Sequence, residues 1–272
     1  MSRVWFEGSL ETVAIWWRIY RKDGVTIGFT SHDRDLVFDD IRHLTAPGMV
    51  PSAIRFSADF EPDSAEMSGA LDHAAVTNDD LSLGRFDDAH VAMGLVDWQT
   101  LERETLYTGR IGTVDEEAGS FTAELLSEKS RLTADTIPRT SPTCRARFCG
   151  PGCNLPSPKF TLETSISEVA NGGAQLLVHE KISPANYLDG LVRIVSGPAS
   201  GLTYEITSIA NDALVLSPRL PAIVSPGDRL ELRQGCDHRW ATCSDRFANA
   251  INFRGEPFLP GNDLLARYPS AR

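Results

Sequence analysis

Two groups of cysteines, far apart in the chain, constrain this sequence more than any other feature. The first group holds Cys144 and Cys153, with Cys149 between them, and the second holds Cys236 and Cys243. Between Cys153 and Cys236 lie 82 residues. Two clustered pairs at such a distance suggest that the fold brings four thiolates together around one metal centre.

The spacing within each pair leaves several kinds of site open. Zinc sites usually have about two to four residues between paired cysteines, whereas eight residues separate the cysteines of the first pair and six those of the second. Wider spacings suit a larger object, such as an iron–sulfur cluster, and zinc is the fallback. Glycines at positions 150, 152 and 235 favour a metal, because turn residues let the backbone fold closely around a centre. Disulfides and ordinary buried thiols are the alternatives.

Residues next to the pairs add further candidates. Cys149 is the fifth cysteine, and it is an alternative to Cys153 as the second ligand of the first group. His238 lies inside the second pair and is able to replace a thiolate, although four cysteines suffice. Four arginines flank the cysteines: Arg145, Arg147, Arg239 and Arg246. They either offset the negative charge of the thiolates or are ordinary surface residues.

Length and charge indicate a two-domain protein that does not bind nucleic acid. The 272 residues suffice for two domains of ~100–150 residues each, and the net charge of −11 argues against nucleic acid as the main partner. Up to residue 137 there are 25 acidic and 12 basic side chains, against 12 and 14 after it, which predicts a boundary near Pro138. No apolar run approaches the ~20 residues that span a bilayer. Residues 1–7 lack the apolar core of a secretion signal, so we expect a reducing compartment.

Alternating and β-branched segments predict a mainly β fold, with a β-barrel or sandwich in residues 1–137. A turn at 21–24 carries the Asp-Gly pair typical of hairpins. Residues 77–80 resemble a helix N-terminus, and 115–119 are predicted as a turn. The strands predicted in this half are 12–20, 25–30, 53–60, 90–98, 105–114 and 120–126.

Short strands resume after Cys153, separated by turn signals. Their spacing of roughly 8–12 residues indicates a small barrel or sandwich. The predicted strands are 160–166, 175–179, 191–195, 203–209, 213–216 and 228–232. We therefore predict an inserted β-domain, residues 158–233, between the two parts of a cysteine-ligated module, residues 138–157 and 234–272.

Catalytic motifs do not support an enzyme. The sequence contains no nucleophile elbow, P-loop or H-E-x-x-H helix. His32, Asp33 and Asp35 form the one cluster of histidine and aspartate that suggests catalysis. Adjacent residues on a strand point to opposite faces, so His32 and Asp33 are not expected to meet, and a solvated turn is favoured. We expect no enzymatic activity.

A family resemblance extends over nearly the whole chain. In the N-terminal half it rests on residues 31–36, 80–88, 95–98 and 109–114, and in the C-terminal half on 235–239, 242–243, 247–257 and 260–261. On these segments the sequence resembles the hub (baseplate) proteins of long-tailed phages and phage-like gene transfer agents, a family also catalogued as a phage conserved protein of unknown function. Its C-terminal part is similar to the L tail-tip protein of lambda-like phages.

The resemblance implies a structural role at the tail tip of a phage or gene transfer agent particle, built in the bacterial cytoplasm. It implies an iron–sulfur cluster, of the 4Fe-4S type, at the matching positions Cys144, Cys153, Cys236 and Cys243, with Cys149 as a departure from the family pattern. It also implies a homotrimer that joins a six-fold distal tail ring to a three-fold tip or fibre (megatron-like) protein, with a cell-wall peptidase nearby. We expect the cluster to act as a structural staple.

Two other functions remain open at the level of sequence. A metal-dependent or redox enzyme would use the same four cysteines, but it needs a substrate pocket for which no motif is present. A carbohydrate-binding β module is compatible with the barrel pattern and the five tryptophans, although tryptophans scattered through strands are more often core residues.

Overall fold

Both halves of the chain fold mainly as β-strands, as the alternating sequence predicts. The computed structural model describes residues 10–45, 50–51, 64–70, 76–117, 120–133 and 137–259. The chain divides into two compact units, residues 1–136 and residues 137–272, called here the N-terminal and the C-terminal unit. The finer division of the second unit into a cysteine module and an inserted β-domain stays a prediction. Among the described residues, no helix is long and apolar enough to cross a membrane.

The strands described in the N-terminal unit form one nine-stranded sheet. They are β1 (Val13–Tyr20), β2 (Thr26–Thr30), β3 (Leu36–Phe38), β4 (Ile41–Thr45), β5 (Val50–Pro51), β6 (Ser64–Ala70), β7 (His90–Asp97), β8 (Arg103–Glu117) and β9 (Ser120–Ser127). Their order is β3-β4-β2-β1-β7-β8-β9-β6-β5. Neighbours are antiparallel except β2 and β4, which are parallel.

This single sheet corrects the barrel or sandwich that we expected for the N-terminal half. Strand periodicity specifies which face of each strand is buried, but it does not specify which sheet edges meet. In the described residues β3 and β5 are the two ends of the strand order, so this sheet does not close on itself. The mainly β class is confirmed, and its architecture differs.

Strand β1 shows why this sheet is stable, because both of its faces are covered. Trp16 and Trp17 are adjacent and therefore point to opposite faces, yet their exposed fractions are only 3% and 1%. Trp17 packs in a cluster with Phe29 and Met93, and Trp16 packs on the other face with Leu36. A strand buried on both faces loses the clean alternation of a half-exposed strand.

Local signals in this unit are largely confirmed. Gly24 closes the turn between β1 and β2 with a φ of +91°. The helix α1 (Asn78–Ser82) begins after Thr77, whose hydroxyl accepts a hydrogen bond from the Asp80 N–H. The turn predicted at 115–119 is wrong for residues 115–117, because β8 continues to Glu117. The strand predicted at 53–60 lies outside the described residues.

The C-terminal unit contains a closed six-stranded barrel. Its strands are β10 (Thr161–Ala170), β11 (Gln175–Val178), β12 (Leu191–Ile194), β13 (Thr203–Ala210), β14 (Ala213–Ser217) and β15 (Arg229–Arg233). The order around the barrel is β10-β11-β14-β13-β12-β15. All six strands were predicted, and of the two architectures proposed for them the barrel is confirmed. Alternate residues such as Val192 and Ile194, or Leu230 and Leu232, fill its interior.

Strands β10 and β15 pair with each other, although they are the first and last strands of the barrel. The antiparallel register runs from Thr161 opposite Arg233 to Ser165 opposite Arg229. The first and last strands of the barrel are therefore adjacent, and their pairing closes the barrel. Consequently the segment before β10 and the segment after β15, which carry the two cysteine groups, start from neighbouring positions.

A buried charge network lies at one end of the N-terminal sheet. The Arg18 side chain donates through Nε to His43 Nε2 over 2.9 Å and through Nη2 to Asp39 over 2.8 Å. Its guanidinium lies 4.8 Å from the Trp16 ring centre and 4.9 Å from that of Phe38. His43 is fully buried. Burial and the Arg18 charge lower the pKa of His43 to about 4.

The pKa of His43 predicts an acid-sensitive N-terminal unit. The unfolded chain binds a proton at His43 below about pH 6.5, whereas the folded chain excludes it down to about pH 4, so stability falls as the pH drops through this window. We expect a loss of roughly 3 kcal/mol of unfolding free energy across it. Urea unfolding followed by tryptophan fluorescence at several pH values measures this loss.

The matched variants for this experiment are His43→Gln and His90→Gln. The glutamine at position 43 keeps a neutral acceptor for Arg18 but does not titrate, so the fall in stability between pH 6.5 and 4.5 should be smaller than in wild type. His90 has a side chain that is 44% exposed, and its replacement should leave the wild-type slope intact. An unchanged slope in His43→Gln would contradict the assignment.

Candidate metal centre

All four cysteines proposed as ligands lie in the C-terminal unit, on the two segments that flank the barrel. The segment before β10 is built mainly of turns, and Gly152 turns its backbone with a φ of +87°. The segment after β15 contains a π-helical turn, Thr242–Arg246, which carries Cys243. Cys153 and Cys243 are buried, the other cysteines are partly exposed, and all five are free thiols.

Backbone and side-chain hydrogen bonds join the two cysteine segments. The Cys144 N–H donates to the His238 carbonyl over 2.8 Å. The Asn249 side-chain amide donates to the Cys153 carbonyl over 2.8 Å, and the Cys243 thiol donates to the Asn249 carbonyl over 3.4 Å. Each cysteine of the first pair is therefore fastened to the segment that carries the second pair.

The four thiols form one electrostatically coupled group. Burial, and after it the charges of Cys144, Cys236 and Cys153, raise the pKa of Cys243 to about 11. The pKa of Cys236 is also raised, first by burial and then by Asp237, Cys153 and Cys144, against a hydrogen bond from the backbone of His238. Like charges interact in this way only when they are close together in space. The thiols of the two segments therefore lie in one neighbourhood, and their role as a ligand set stays a prediction.

Cys149 belongs to the same neighbourhood. Burial first, and then the charges of Cys153 and Cys236, raise its pKa to about 11, while the Arg233 charge opposes this shift. Its backbone has a φ of +58°, which is uncommon for a residue other than glycine. The backbone turn at Cys149 is therefore tightly constrained, and its thiol lies close enough to two of the four proposed ligands to interact with them.

The donor chemistry of the site fits a group held by thiolates. The Arg254 N–H donates to Cys144 Sγ over 3.3 Å, and the Asn249 side-chain nitrogen lies 3.7 Å from Cys153 Sγ. N–H donors to sulfur are a recognised feature of iron–sulfur sites, where they tune the bound group. In the described part of the chain, however, no set of three His, Cys, Asp or Glu side chains is arranged to hold a metal ion.

Left-handed backbone conformations occur on both cysteine segments. Four residues other than glycine have φ values of 50–59° here: Cys149, Asn154, His238 and Ala248. Such conformations persist only where the surroundings enforce them, and they concentrate at functional sites. His238 takes part through its backbone, since its carbonyl accepts from Cys144 and its amide bonds Cys236.

A charged clamp holds the first cysteine segment against the end of the described chain. Arg145 donates two hydrogen bonds of 2.7 Å to the Glu256 carboxylate, and the Ser141 N–H donates to the same carboxylate over 2.9 Å. The Arg145 side-chain bond and the Ser141 amide lower the pKa of Glu256 to about 2. Arg145 also interacts with the Cys144 thiolate.

The other flanking arginines have different roles. Arg246 donates to the Asn186 carbonyl and to the Gln234 side chain, so it fixes the π-helical turn to the barrel. Arg239 is 78% exposed. Of the four flanking arginines, Arg145 interacts with a cysteine, Cys144. Arg233, which the sequence analysis did not nominate, interacts with Cys149.

Three further groups were missed because their partners are distant in sequence. Asn249 and Glu256 contact the first cysteine segment from the last part of the described chain. Phe148, Phe160 and Phe247 form an aromatic cluster with ring centres 4.8–5.5 Å apart, which joins both cysteine segments to the start of the barrel. Phe148 and Phe247 are evident in the sequence, but no sequence pattern indicated that their rings are in contact.

The histidine and aspartate cluster of the N-terminal unit differs from the expectation in one respect. His32 Nδ1 lies 3.3 Å from Asp33 Oδ1, so the prediction that they do not meet is wrong. These residues occupy a bend rather than a strand, and the alternation rule for strands does not apply to it. Asp33 is 83% exposed, and Asp35 bonds Arg42 and the Thr45 N–H. A solvated turn describes Asp33, whereas the His32 side chain is only 16% exposed and packs against Trp98 with ring centres 5.1 Å apart.

Comparisons with known proteins point to one kind of assembly. Residues 3–156 match the family model "Baseplate hub protein, N-terminal attachment domain", and residues 185–263 match "Phage conserved hypothetical protein BR0599". A chain from the structure "Virion of native gene transfer agent (GTA) particle" is 32% identical, with a TM-score of 0.86. That match covers 98% of this chain and 94% of the other. No curated protein matches this sequence.

Close packing at Gly235 predicts that a single methyl group destabilises the C-terminal unit. A Cβ at this position would lie 1.6 Å from the Leu188 carbonyl oxygen, so Gly235→Ala must displace the second cysteine segment from the barrel. We expect a loss of about 3 kcal/mol, the upper end for overpacking, in denaturant unfolding. Gly150→Ala is the matched control, since its nearest atom would be Arg147 Cβ at 3.2 Å. Equal stability of both variants would contradict the packing argument.

Proposed function

Because the chain belongs to the baseplate hub protein family, we propose that it is the structural hub of a tail tip in a phage-like or gene transfer agent particle. In this role it links a six-fold distal tail ring to a three-fold tip assembly. The observation that carries the proposal is the similarity over 98% of the chain to a component of a gene transfer agent virion. Similarity over both units supports a shared role for the whole chain.

The alternative is a metal-dependent or redox enzyme that uses the same cysteines. A cleft of about 390 Å³ does lie beside the second cysteine segment, lined by residues that include Gly235, Asp237 and Asp245. None of the cysteines lines this cleft. An enzyme needs its reactive group at the substrate pocket, so the cleft does not favour this alternative over the hub.

We propose that Cys144, Cys153, Cys236 and Cys243 hold a 4Fe-4S cluster, with zinc as the fallback. Three observations support this ligand set: the charges of the other three cysteines act on Cys243, N–H donors approach two of the sulfurs, and several backbone residues beside them have positive φ values. When bound, the cluster would supply a covalent cross-link between the two segments that leave the barrel. Since β10 and β15 already close the barrel, the staple would act on the flanking segments rather than on the barrel.

The proposed partners are a homotrimer of this chain, the distal tail ring, a tip or fibre (megatron-like) protein and a cell-wall peptidase. An exposed apolar surface near the end of the described chain supports a protein partner there. Ile251 is 92% exposed, Phe258 80% and Leu259 54%. Large apolar side chains exposed in this way are candidates for a contact with a partner, and charge asymmetry between the halves would orient the partners.

The symmetry of the hub in assembled particles tests its proposed place. Closed rings of identical chains bury the same surfaces around one axis, and we expect three copies at the tail tip. Cryo-electron microscopy of intact tails, with local symmetry assigned separately for each ring, makes the count. Six copies in one ring, or none at the tip, would contradict the proposal. A monomer in solution would not, because the ring forms on the tail.

The cluster is tested by colour and by metal content. Protein made without oxygen should be brown and should contain iron and acid-labile sulfide. Cys236→Ser or Cys243→Ser should abolish both, because each removes one of four ligands, and should lower the yield of complete tails. Cys149→Ser is the matched control and should keep the colour. Colourless protein with stoichiometric zinc would replace the cluster by the fallback. Loss of colour in Cys149→Ser but not in Cys153→Ser would overturn the ligand set.

A further inference from the structure

Asn249 is a buried polar residue that belongs to neither cysteine pair. It is only 5% exposed, and it lies just after the π-helical turn that carries Cys243. A buried amide is stable only when its donors and acceptors find partners. Its partners therefore show what the residue does.

The partners of Asn249 are one cysteine from each pair. Its backbone N–H donates to the Cys243 carbonyl over 2.9 Å, and its own carbonyl accepts from the Cys243 thiol over 3.4 Å. Its side-chain nitrogen donates to the Cys153 carbonyl over 2.8 Å and lies 3.7 Å from Cys153 Sγ. One residue thus bridges cysteines that are 90 positions apart in the sequence.

Two further asparagines hold the Asn249 amide in the orientation that faces Cys153. Asn252 Nδ2 donates to Asn249 Oδ1 over 2.8 Å, so the acceptor end of the amide is occupied and its donor end faces the cysteine. Asn154, the residue after Cys153, donates to Asn252 Oδ1 over 3.2 Å. The hydrogen bonds form a closed loop that starts and ends at the first cysteine segment.

We infer that Asn249 is a positioning residue, which holds Cys153 beside Cys243 before any group binds and donates an N–H to the Cys153 sulfur afterwards. Its role before binding rests only on the contacts above. Its role after binding rests on the proposed cluster. Preorganised ligands reduce the free energy that binding must spend on ordering the chain, and outer contacts to ligands tune a metal group.

The first test uses the full-length, metal-free chain and the alkylation rate of each thiol with iodoacetamide, followed by mass spectrometry. Asn249→Asp keeps the shape but replaces the N–H donor by an acceptor that faces the Cys153 carbonyl. We expect Cys153 to react about tenfold faster, the effect of losing one hydrogen bond of about 1.4 kcal/mol. Cys144, which is bonded to Arg254 instead, should keep its rate.

Two variants complete this test. Asn252→Ala removes only the contact that orients the amide, so the Cys153 rate should rise by a smaller factor. Asn186→Ala, an exposed asparagine of the same unit, should leave all rates unchanged. A Cys153 rate in Asn249→Asp equal to that in Asn186→Ala would overturn the inference, and so would an equal rise at all five cysteines, which reports general unfolding.

The second test measures the midpoint potential of the anaerobically prepared protein. A donor to sulfur stabilises the more negative reduced state, so its loss should shift the potential of Asn249→Asp to a more negative value than that of wild type. An unchanged potential in a variant that retains its iron would overturn the role after binding. Absence of iron from wild type would instead refute the cluster, and the alkylation rates would still decide whether Asn249 positions Cys153.

Discussion

The antiparallel pairing of β10 with β15 is the contact on which the rest of the C-terminal unit depends. These strands are the ends of the barrel, and their register places Thr161 opposite Arg233. The two cysteine segments start from this pair of strands, so cysteines separated by the whole barrel in sequence begin as neighbours in space. Without this pairing, the chain entropy of closing so long a loop would oppose any four-cysteine site.

Hydrogen bonds and an ion pair between the two cysteine segments add to this strand pairing. The bonds from Cys144 to His238, from Arg145 to Glu256 and from Asn249 to Cys153 join the segments directly. In small metal modules the binding free energy is the folding free energy. Here the barrel has its own buried core, so a bound cluster would stabilise the flanking segments and the surfaces they present, while the barrel folds through its own packing.

The two units differ in how they accommodate polar groups. In the N-terminal sheet, Arg18 and His43 are buried beside aromatic rings, and burial together with the Arg18 charge lowers the pKa of the histidine. In the C-terminal unit, polar groups concentrate where the cysteine segments meet, and the amide of Asn249 joins the two pairs. Both arrangements bring buried polar groups into contact with partners distant in sequence.

Much of this protein follows from its sequence. Alternating apolar residues determine the strands of the barrel, the Asp-Gly pair determines the first hairpin, and the spacing of the cysteines nominates the four proposed ligands. The strands and the turn depend on local steric preferences and on burial of one face of each strand. Residues that are close in sequence specify both.

Only the tertiary structure decided which sheet edges meet, and therefore that the first unit is a single sheet while the second is a barrel. It also decided that Asn249, Glu256 and Arg233 serve the cysteine site, and that His32 meets Asp33 in a bend. The physical reason is common to all of them. Each depends on a contact that arises after strands have paired or turns have formed, and a hydrogen bond between distant residues leaves no periodic trace in the sequence.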